Sequence, residues 1–487
     1  MNYDNPSSLI QLTIQSLLKD DNLAISSLKD IPDALLPSLF LKAHIQGCYK
    51  TLKAIVLSWP FERLPLGSLV HDRAPENPSF KAVMDGIDVL IKQKVSPRCR
   101  LQVLDLQFTG QKFWNTWTGS HLQAYSQKRE LMSEGTSKKE KATPYLEVCV
   151  DLYLGEEQVD RFSTYLLNWT KKRKGVHLSY KTVRIHYLTR KYFRFLYAVS
   201  CCDIMELGIH CTLPFSTLHM LANLLGMLSN LKRMVVCIKI PTATTPEKAE
   251  WRLLSINNFT SECSQLLHLQ ELYLESPSFL KDHLHCLFRC FNTSLEVFSL
   301  TNCRFRKKVL THVFQSPCIS QLKDLCLKGV PLTSVSKCLR SLLEVNASTL
   351  QHLDLGLCGL QDPQLEVLLP ALSSCSQLRS FSLHGNCLSM ATLEKLLSCT
   401  SGLSRLKLEL YPAPLESFSP QGVLQPATFR LHCTQIIKIL KDLRHSRSIV
   451  VSTGQCSSCA EKMFRNGEPI ILPCKSCVRK FKKLSIE

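Results

Sequence analysis

Glycine is scarce in this chain, with 18 among 487 residues. Phosphate-cradling loops need glycine where the backbone closes on a ligand. No G-x-x-x-x-G-K-[ST] and no strand-preceded G-x-G-x-x-G occurs, and H-E-x-x-H and G-x-S-x-G are missing too. Histidines and cysteines are scattered without a recognisable catalytic pairing. The expectation is a protein that is not an enzyme and has no catalytic cofactor. Acidic residues are missing from residues 161–202, which hold ten Lys and Arg, and the formal net charge is +19. Such a patch attracts acidic proteins, nucleic acid or anionic lipid. Long apolar runs are lacking as well. The longest uncharged stretch, Cys211 to Leu231, contains Pro214, His219, Asn223 and Asn230. Its leucines at 218, 221, 225 and 228 follow helical spacing, which predicts a core helix and no membrane span. The start, MNYDNPSSLIQLTIQSLLKDDNLAI, has no basic n-region, and Asp20 and Asp21 interrupt its apolar run, so it does not read as a secretory signal. The 23 cysteines are then expected as reduced thiols of the cytosol or nucleus. Sequons at Asn168, Asn258, Asn292 and Asn346 become chance matches.

What is present is repetition. LQHLDLGLCGL at 350–360 aligns without a gap with LRSFSLHGNCL at 378–388. The same frame appears as LQELYLESPSF from 269, LEVFSLTNCRF from 295, LKDLCLKGVPL from 322 and LSRLKLELYPA from 403. The starts lie 26, 27, 28, 28 and 25 residues apart, the period of leucine-rich repeats. Weaker frames are LQVLDLQF from 101 and LKRMVVCI from 231. In L-x-x-L-x-L the later leucines alternate, so in a strand both point to one buried face. The Asn or Cys position turns the chain and can satisfy backbone groups with its side chain. One repeat cannot bury its own apolar face, and stacked repeats can. The predicted fold is α/β: a leucine-rich-repeat solenoid, a horseshoe with a parallel inner sheet and outer helices, preceded by a helical N-terminal region. Its concave face would display Tyr273, Asp324, Lys328, His352, Asp354, His384, Arg405 and Lys407 to a protein partner, or simply to water.

The predicted organisation is a helical N-terminal region over 1–98, irregular early repeats with the basic stretch over 99–264, regular repeats over 265–450 and a cysteine-rich tail over 451–487. In the first region Phe80, Val83, Ile87, Leu90 and Ile91 form one apolar stripe, and Asp30 can cap a helix begun by Pro32. SLIQLTIQSL, with Ser8, Leu9, Thr13 and Leu17, resembles the elongin-binding box of cullin-2 adaptor receptors, with Thr13 where the family prefers Cys. IPDALLPSL, with Ile31, Pro32, Leu35 and Leu39, resembles the cullin box that follows it. Helical spacing sets Leu9, Thr13 and Leu17 on one face. Taken alone, the same pattern suits an amphipathic helix packed on the first repeat.

IQSLLKDDNLAISSLKDIPDALLPSLFLKA, TLKAIVLSWPFERLPLGSL, FKAVMDGIDVLI, LQVLDLQ and FWNTWTG resemble the PRAME family, the preferentially expressed antigen of melanoma and its oogenesin-like relatives. TLKAIVLSWPFERLPLGSL is the most specific, because repeat physics does not demand Trp59-Pro60-Phe61 followed by Leu64-Pro65-Leu66. The resemblance implies a germline, embryonic or tumour-cell protein acting as substrate adaptor of a cullin-2 RING ubiquitin ligase, with elongin B/C and cullin-2 as partners. It also implies negative regulation of transcription and effects on apoptosis, proliferation and differentiation. A transcriptional corepressor scaffold without ligase activity is the competing reading.

In the tail, Cys456-x2-Cys459 and Cys474-x2-Cys477 stand fourteen residues apart. Four such thiolates can hold one structural zinc, or remain reduced surface thiols. The basic stretch, residues 168–195, interleaves cations with Trp169, Tyr180, Tyr187, Tyr192, Phe193 and Phe195. That interleaving could serve RNA stacking, but the stronger expectation is aromatics filling early repeats with cations in water and no specific nucleic-acid binding. Lys171, Lys172, Arg173 and Lys174 form a candidate nuclear-import signal. The expected compartment is the cytoplasm, with the nucleus second.

Overall fold

The computed structural model describes residues 9–70, 74–92, 98–108, 112–114, 146–155, 161–197, 201–241, 247–443 and 448–452. The chain forms two compact units, Met1–Ile204 and Met205–Glu487. The division falls inside the stretch 99–264 that the sequence treats as one region. Among the described residues, no helix is long and apolar enough to cross a membrane.

The first unit opens with helices α1 (Leu9–Leu17), α2 (Asp21–Ser27), α3 (Leu36–Gln46) and α4 (Tyr49–Leu57). Asp20 caps α2, accepting from Asn22 N at 2.9 Å. The predicted cap at Asp30 does not form: Pro32 precedes a single 3-10 turn, Asp33–Leu35, and α3 starts after it. Strand β1 (Arg63–Pro65) follows, then α5 (Pro78–Lys92), β2 (Val103–Asp105), β3 (Leu146–Leu154), α6 (Arg161–Lys171), β4 (Val176–Ile185) and α7 (Arg190–Tyr197). β1 to β4 pair in parallel, in chain order. The repeat architecture therefore begins at Arg63, within the region expected to be helical. On α5, Phe80, Val83 and Ile87 are buried as the stripe predicts.

An aromatic cluster explains the tryptophan-proline motif. Trp59, Phe40 and Trp114 are buried; Phe40 stacks on Trp114 at 5.4 Å and meets Trp59 edge-on at 5.5 Å. Both indoles find acceptors: Trp59 Nε1 donates to Arg63 O at 3.1 Å and Trp114 Nε1 to Pro65 O at 2.8 Å. The rings thus seal β1 and hold its carbonyls, with Leu64 and Leu66 buried beside them. Burying a side chain of this size stabilises by roughly 1.5–3 kcal/mol. Gly67 is required by close approach, since a Cβ there would sit 2.2 Å from Gln107 O.

The second unit carries β5 (Glu206–Thr212), α8 (Phe215–Leu225), β6 (Arg233–Lys239), α9 (Glu247–Glu262), β7 (Glu271–Glu275), α10 (Leu284–Cys290), β8 (Val297–Thr301), α11 (Lys307–Phe314), β9 (Asp324–Cys326), α12 (Ser336–Val345), β10 (His352–Asp354), α13 (Asp362–Ser373), β11 (Ser380–Ser382), α14 (Met390–Cys399), β12 (Leu408–Pro412), α15 (Pro426–Asp442) and β13 (Ser448–Ser452). Its strands are parallel and pair in chain order. This is the leucine-rich-repeat α/β fold, with Leu272, Phe298, Leu325, Leu353 and Phe381 stacked in register and buried. The uncharged run from Cys211 supplies β5's end and α8, with Leu218, Leu221, Leu225 and Leu228 all buried.

Two devices repeat along the stack. Asn386 Oδ1 accepts from Cys358 N (3.1 Å) and Leu360 N (2.9 Å), and its Nδ2 donates to Leu355 O and Leu383 O, both at 2.8 Å. One buried amide thus staples two consecutive repeats, as the Asn position predicts. At the previous repeat Cys358 Sγ points to Leu327 O at 3.0 Å. Asn346, one of the sequons, is buried and spends its amide on Leu322 N, Ile319 O and Leu342 O. The second device is a left-handed backbone step at the eighth frame position: Ser276, Asn302, Gly329, Leu357 and Gly385, with φ of 46°, 52°, 72°, 57° and 68°.

The last repeat corrects the predicted register. Phe381 pairs with Glu409 and Ser380 with Leu408, so the frame starts at Leu406, three residues after Leu403. Glu409 therefore occupies a leucine slot and is fully buried, where Tyr411 Oη donates to its Oε2 at 2.6 Å.

Candidate partner-binding surfaces

The first surface is α1. Ile14 and Leu18 are buried and anchor the segment, while Leu9 is 80% and Leu12 51% exposed. Thr13 is exposed and its hydroxyl donates to Leu9 O at 2.8 Å. That back-bond satisfies the hydroxyl within the helix. A partner approaching Thr13 then meets a small side chain whose donor is already used. Leu17 is half-buried at the edge of this face. Ser8 lies outside the described residues.

The second box is split. Pro32 is exposed and Ile31 and Leu35 are half-buried, but Leu39 belongs to the core at 1% exposure and is out of a partner's reach. Arg98 clamps this segment, a role sequence reading missed. Its Nη1 donates to Leu28 O and Lys29 O, Nη2 to Ile31 O, and Nε to Asp33 Oδ1 at 3.0 Å. An open cavity of about 430 Å³ lies alongside, lined by Ile25, Leu28, Leu57, Val89, Leu90 and Arg98, among others.

The second surface is the strand face opposite the buried leucines in the second unit. Tyr273, Asp324, Lys328, His352 and Asp354 all stand on it and are at least partly accessible. They are held in place. Arg233 stacks over the Tyr273 ring at 4.9 Å and its Nε lies 3.6 Å from Glu271 Oε2, to which Tyr273 Oη donates at 3.0 Å. Burial and then the Glu271 carboxylate push the Tyr273 phenol well up, so it stays a donor. His352 pairs with Ser380 Oγ at 2.6 Å and lies 4.0 Å from Asp324. Burial raises the Asp324 carboxyl, and His352 opposes that rise. Arg233 was missed, although aligning LKRMVVCI with LQELYLE sets it beside Glu271.

Three predicted members of this face differ. His384 is on it but buried at 4%, with Nδ1 bonded to Ser382 Oγ at 2.8 Å. Arg405 and Lys407 precede β12 and leave the face, because of the three-residue shift in frame. Both are exposed, and Arg405 reaches Gln377. At β12 the face turns apolar, with Leu410 buried in line with Ser382.

In the basic stretch, Trp169, Tyr180, Tyr192 and Phe193 are buried, as the core-filling expectation has it, whereas Phe195 is half-buried and Tyr187 is exposed. Arg173 is committed to the fold: it pairs with Asp88 at 2.5 Å and sits 4.3 Å over Trp169. Lys171, Lys172 and Lys174 are exposed. Cys456, Cys459, Cys474 and Cys477 lie outside the described residues. Every described cysteine is a free thiol, and burial pushes Cys149 up to about 12 and Cys326 up to about 11.

Two domain models of one family together match most of the chain. The PRAME N-terminal domain model matches residues 6–114 and the PRAME C-terminal domain model residues 146–477. PRAME family member 12 of Homo sapiens is 39% identical over 474 residues, covering 96% of this chain and 97% of that protein. PRAME family member 7 of Homo sapiens is 40% identical over 477 residues, covering 96% and 99%. Among solved structures, an internalin (inlF) from Listeria monocytogenes aligns at 17% identity and TM-score 0.31, over 54% of this chain and 74% of that one. The yeast Rad7 and Elc1 complex aligns at 15% identity and TM-score 0.33, over 78% and 94%. With both domain models matched in order and relatives near 40% identity end to end, this chain belongs to the PRAME family.

Proposed function

We propose that this protein is the substrate-recognition adaptor of a cullin-2 RING ubiquitin ligase. It is a protein-interaction scaffold that holds a target while partner proteins transfer ubiquitin. The observation that carries the reading is the solvent-facing apolar side of α1, where Leu9 and Leu12 stand clear of the core and Thr13 has satisfied its own hydroxyl. Elongin B/C docks there, and cullin-2 meets the segment around Ile31, Pro32 and Leu35. The polar strand face around Tyr273, Asp324, His352 and Asp354 holds the target. The protein contributes proximity and orientation, and its targets pass to the proteasome. It acts in the cytoplasm, and its effects on transcription, proliferation, differentiation and apoptosis follow from which proteins it removes.

The test is co-purification with elongin B/C and cullin-2. Leu9→Asp combined with Thr13→Arg alters only exposed positions and leaves Ile14 and Leu18 in the core. Loss of both partners from this variant, with an unchanged melting curve, is expected. Equal recovery by wild type and variant sinks the assignment. A corepressor role without a ligase is the alternative, and the exposure of Lys171, Lys172 and Lys174 favours it. It requires nuclear accumulation that depends on those lysines, and target levels insensitive to proteasome inhibition.

A further inference from the structure

Three adjacent strands place three metal-ligand types in one row. His210 of β5 pairs in register with Cys237 of β6, and Glu275 of β7 follows directly after the Val236–Leu274 pair. One ring nitrogen of His210, the Cys237 sulfur and a Glu275 carboxylate oxygen all lie within 4.8 Å of one another. Side chains at one level of neighbouring parallel strands point the same way, so the convergence follows from the repeat itself. On the β8 side the row ends: the residue paired with Glu275 is Thr301. Glu275 has no ion-pair partner among the described residues.

We propose that His210, Cys237 and Glu275 form a binding site for a zinc-class divalent cation on the strand face of the second unit. Zinc takes Cys sulfur at about 2.3 Å, His nitrogen at about 2.0–2.1 Å and carboxylate oxygen at about 2.0–2.2 Å. Ligand atoms around such a tetrahedral ion stand ~3.5 Å apart, so small side-chain rotations close the present spacing. A mixed set of thiolate, imidazole and carboxylate suits borderline-soft zinc, and disfavours magnesium and calcium, which want oxygen alone. Binding displaces the Cys237 proton to solvent and leaves a thiolate–metal bond. Without a cation, burial and then Glu275 hold that thiol above its ordinary value, with Lys239 pulling it back; a divalent charge reverses the balance. Three protein ligands leave the fourth position for water.

The test uses the full chain with Cys456, Cys459, Cys474 and Cys477 all changed to Ser, so that the tail thiols cannot contribute. Anaerobic titration with Co2+ is expected to saturate at one ion per chain. The spectrum should combine tetrahedral d–d bands with a sulfur-to-cobalt charge-transfer band, and Zn2+ should bleach both. Adding Cys237→Ser should abolish the charge-transfer band, and His210→Ala or Glu275→Gln should weaken uptake. Far-UV circular dichroism and the melting curve of each variant report that the fold is retained. No saturable uptake overturns the proposal, and so does a charge-transfer band that persists in Cys237→Ser.

Discussion

The two units use the same strand module and secure it differently. In the first, strands begin at Arg63, Val103, Leu146 and Val176, at irregular distances, and rings do the sealing. Trp59, Phe40 and Trp114 close β1, and Phe80 packs on Phe162 at 5.1 Å. In the second, leucines fill a regular frame and small side chains with hydrogen-bonding heads lock one repeat to the next. A ring covers a gap of any shape through area alone. An Asn386 works only where four backbone groups arrive in fixed geometry. Irregular spacing therefore goes with aromatic packing, and regular spacing makes polar staples workable.

The comparison can be broken at several points. The largest expected effect is in the ring-sealed unit. Trp59→Ala should cost ~3–5 kcal/mol. Hydrogen exchange should show protection lost in β1 and β2 while β9 to β11 keep theirs. Equal loss throughout would mean that the two modes of closure are not separable. Next comes Asn386→Ala, which strands the backbone N–H groups of Cys358 and Leu360 and the Leu355 carbonyl, while Leu383 O keeps the Asn386 backbone N–H. At ~1–3 kcal/mol for a buried group left without a partner, and with partial relaxation, ~2–4 kcal/mol is expected in urea denaturation. Asn386→Cys, copying Cys358 of the preceding repeat, should recover part of it. If Asn386→Ala costs nothing, polar stapling is not what regular spacing provides.

The smallest effect is a titration. Burial holds the His384 imidazole below its usual range, with Asp354 opposing and Lys328 adding to the effect. The unfolded chain takes up the proton near pH 6.5, before the folded chain does. Stability from this residue is thus complete above about pH 6.5 and declines as pH falls below it, by at most ~1.4 kcal/mol per pH unit. His384→Asn should flatten that acid limb in a series of melting curves. An unchanged limb would mean that the strand face near His384 is wetter than its burial indicates.

Much of the fold was legible because leucine alternation is a direct imprint of a one-sided strand. The final frame was not, and the reason is specific. Leu403, Leu406 and Leu408 satisfy L-x-x-L-x-L, whereas the true frame at Leu406 puts Glu409 in an aliphatic slot. Period carried the information that residue type concealed, since Leu406 lies 28 residues after Leu378, as Leu378 does after Leu350. Local pattern also misses what is distant in sequence. Arg98 reaches back 65 to 70 residues to hold the Leu28–Asp33 segment, and no spacing rule flags it. On α1 the reverse held: helical spacing grouped Leu9 with Thr13, and the Thr13 hydroxyl donates to Leu9 O one turn back.

The left-handed step at Ser276, Asn302, Gly329, Leu357 and Gly385 makes the second unit modular in a practical sense. Each corner returns the chain to the same heading, so a whole period can be cut out and the ends meet. Removing residues 350–377 would fuse Thr349 to Leu378 and lead from the corner at Gly329 to the one at Gly385, with every pocket receiving the kind of residue it had before. Excising half that length would misalign every later corner. The grip of this scaffold can therefore be shortened or lengthened in whole periods without redesigning its interior.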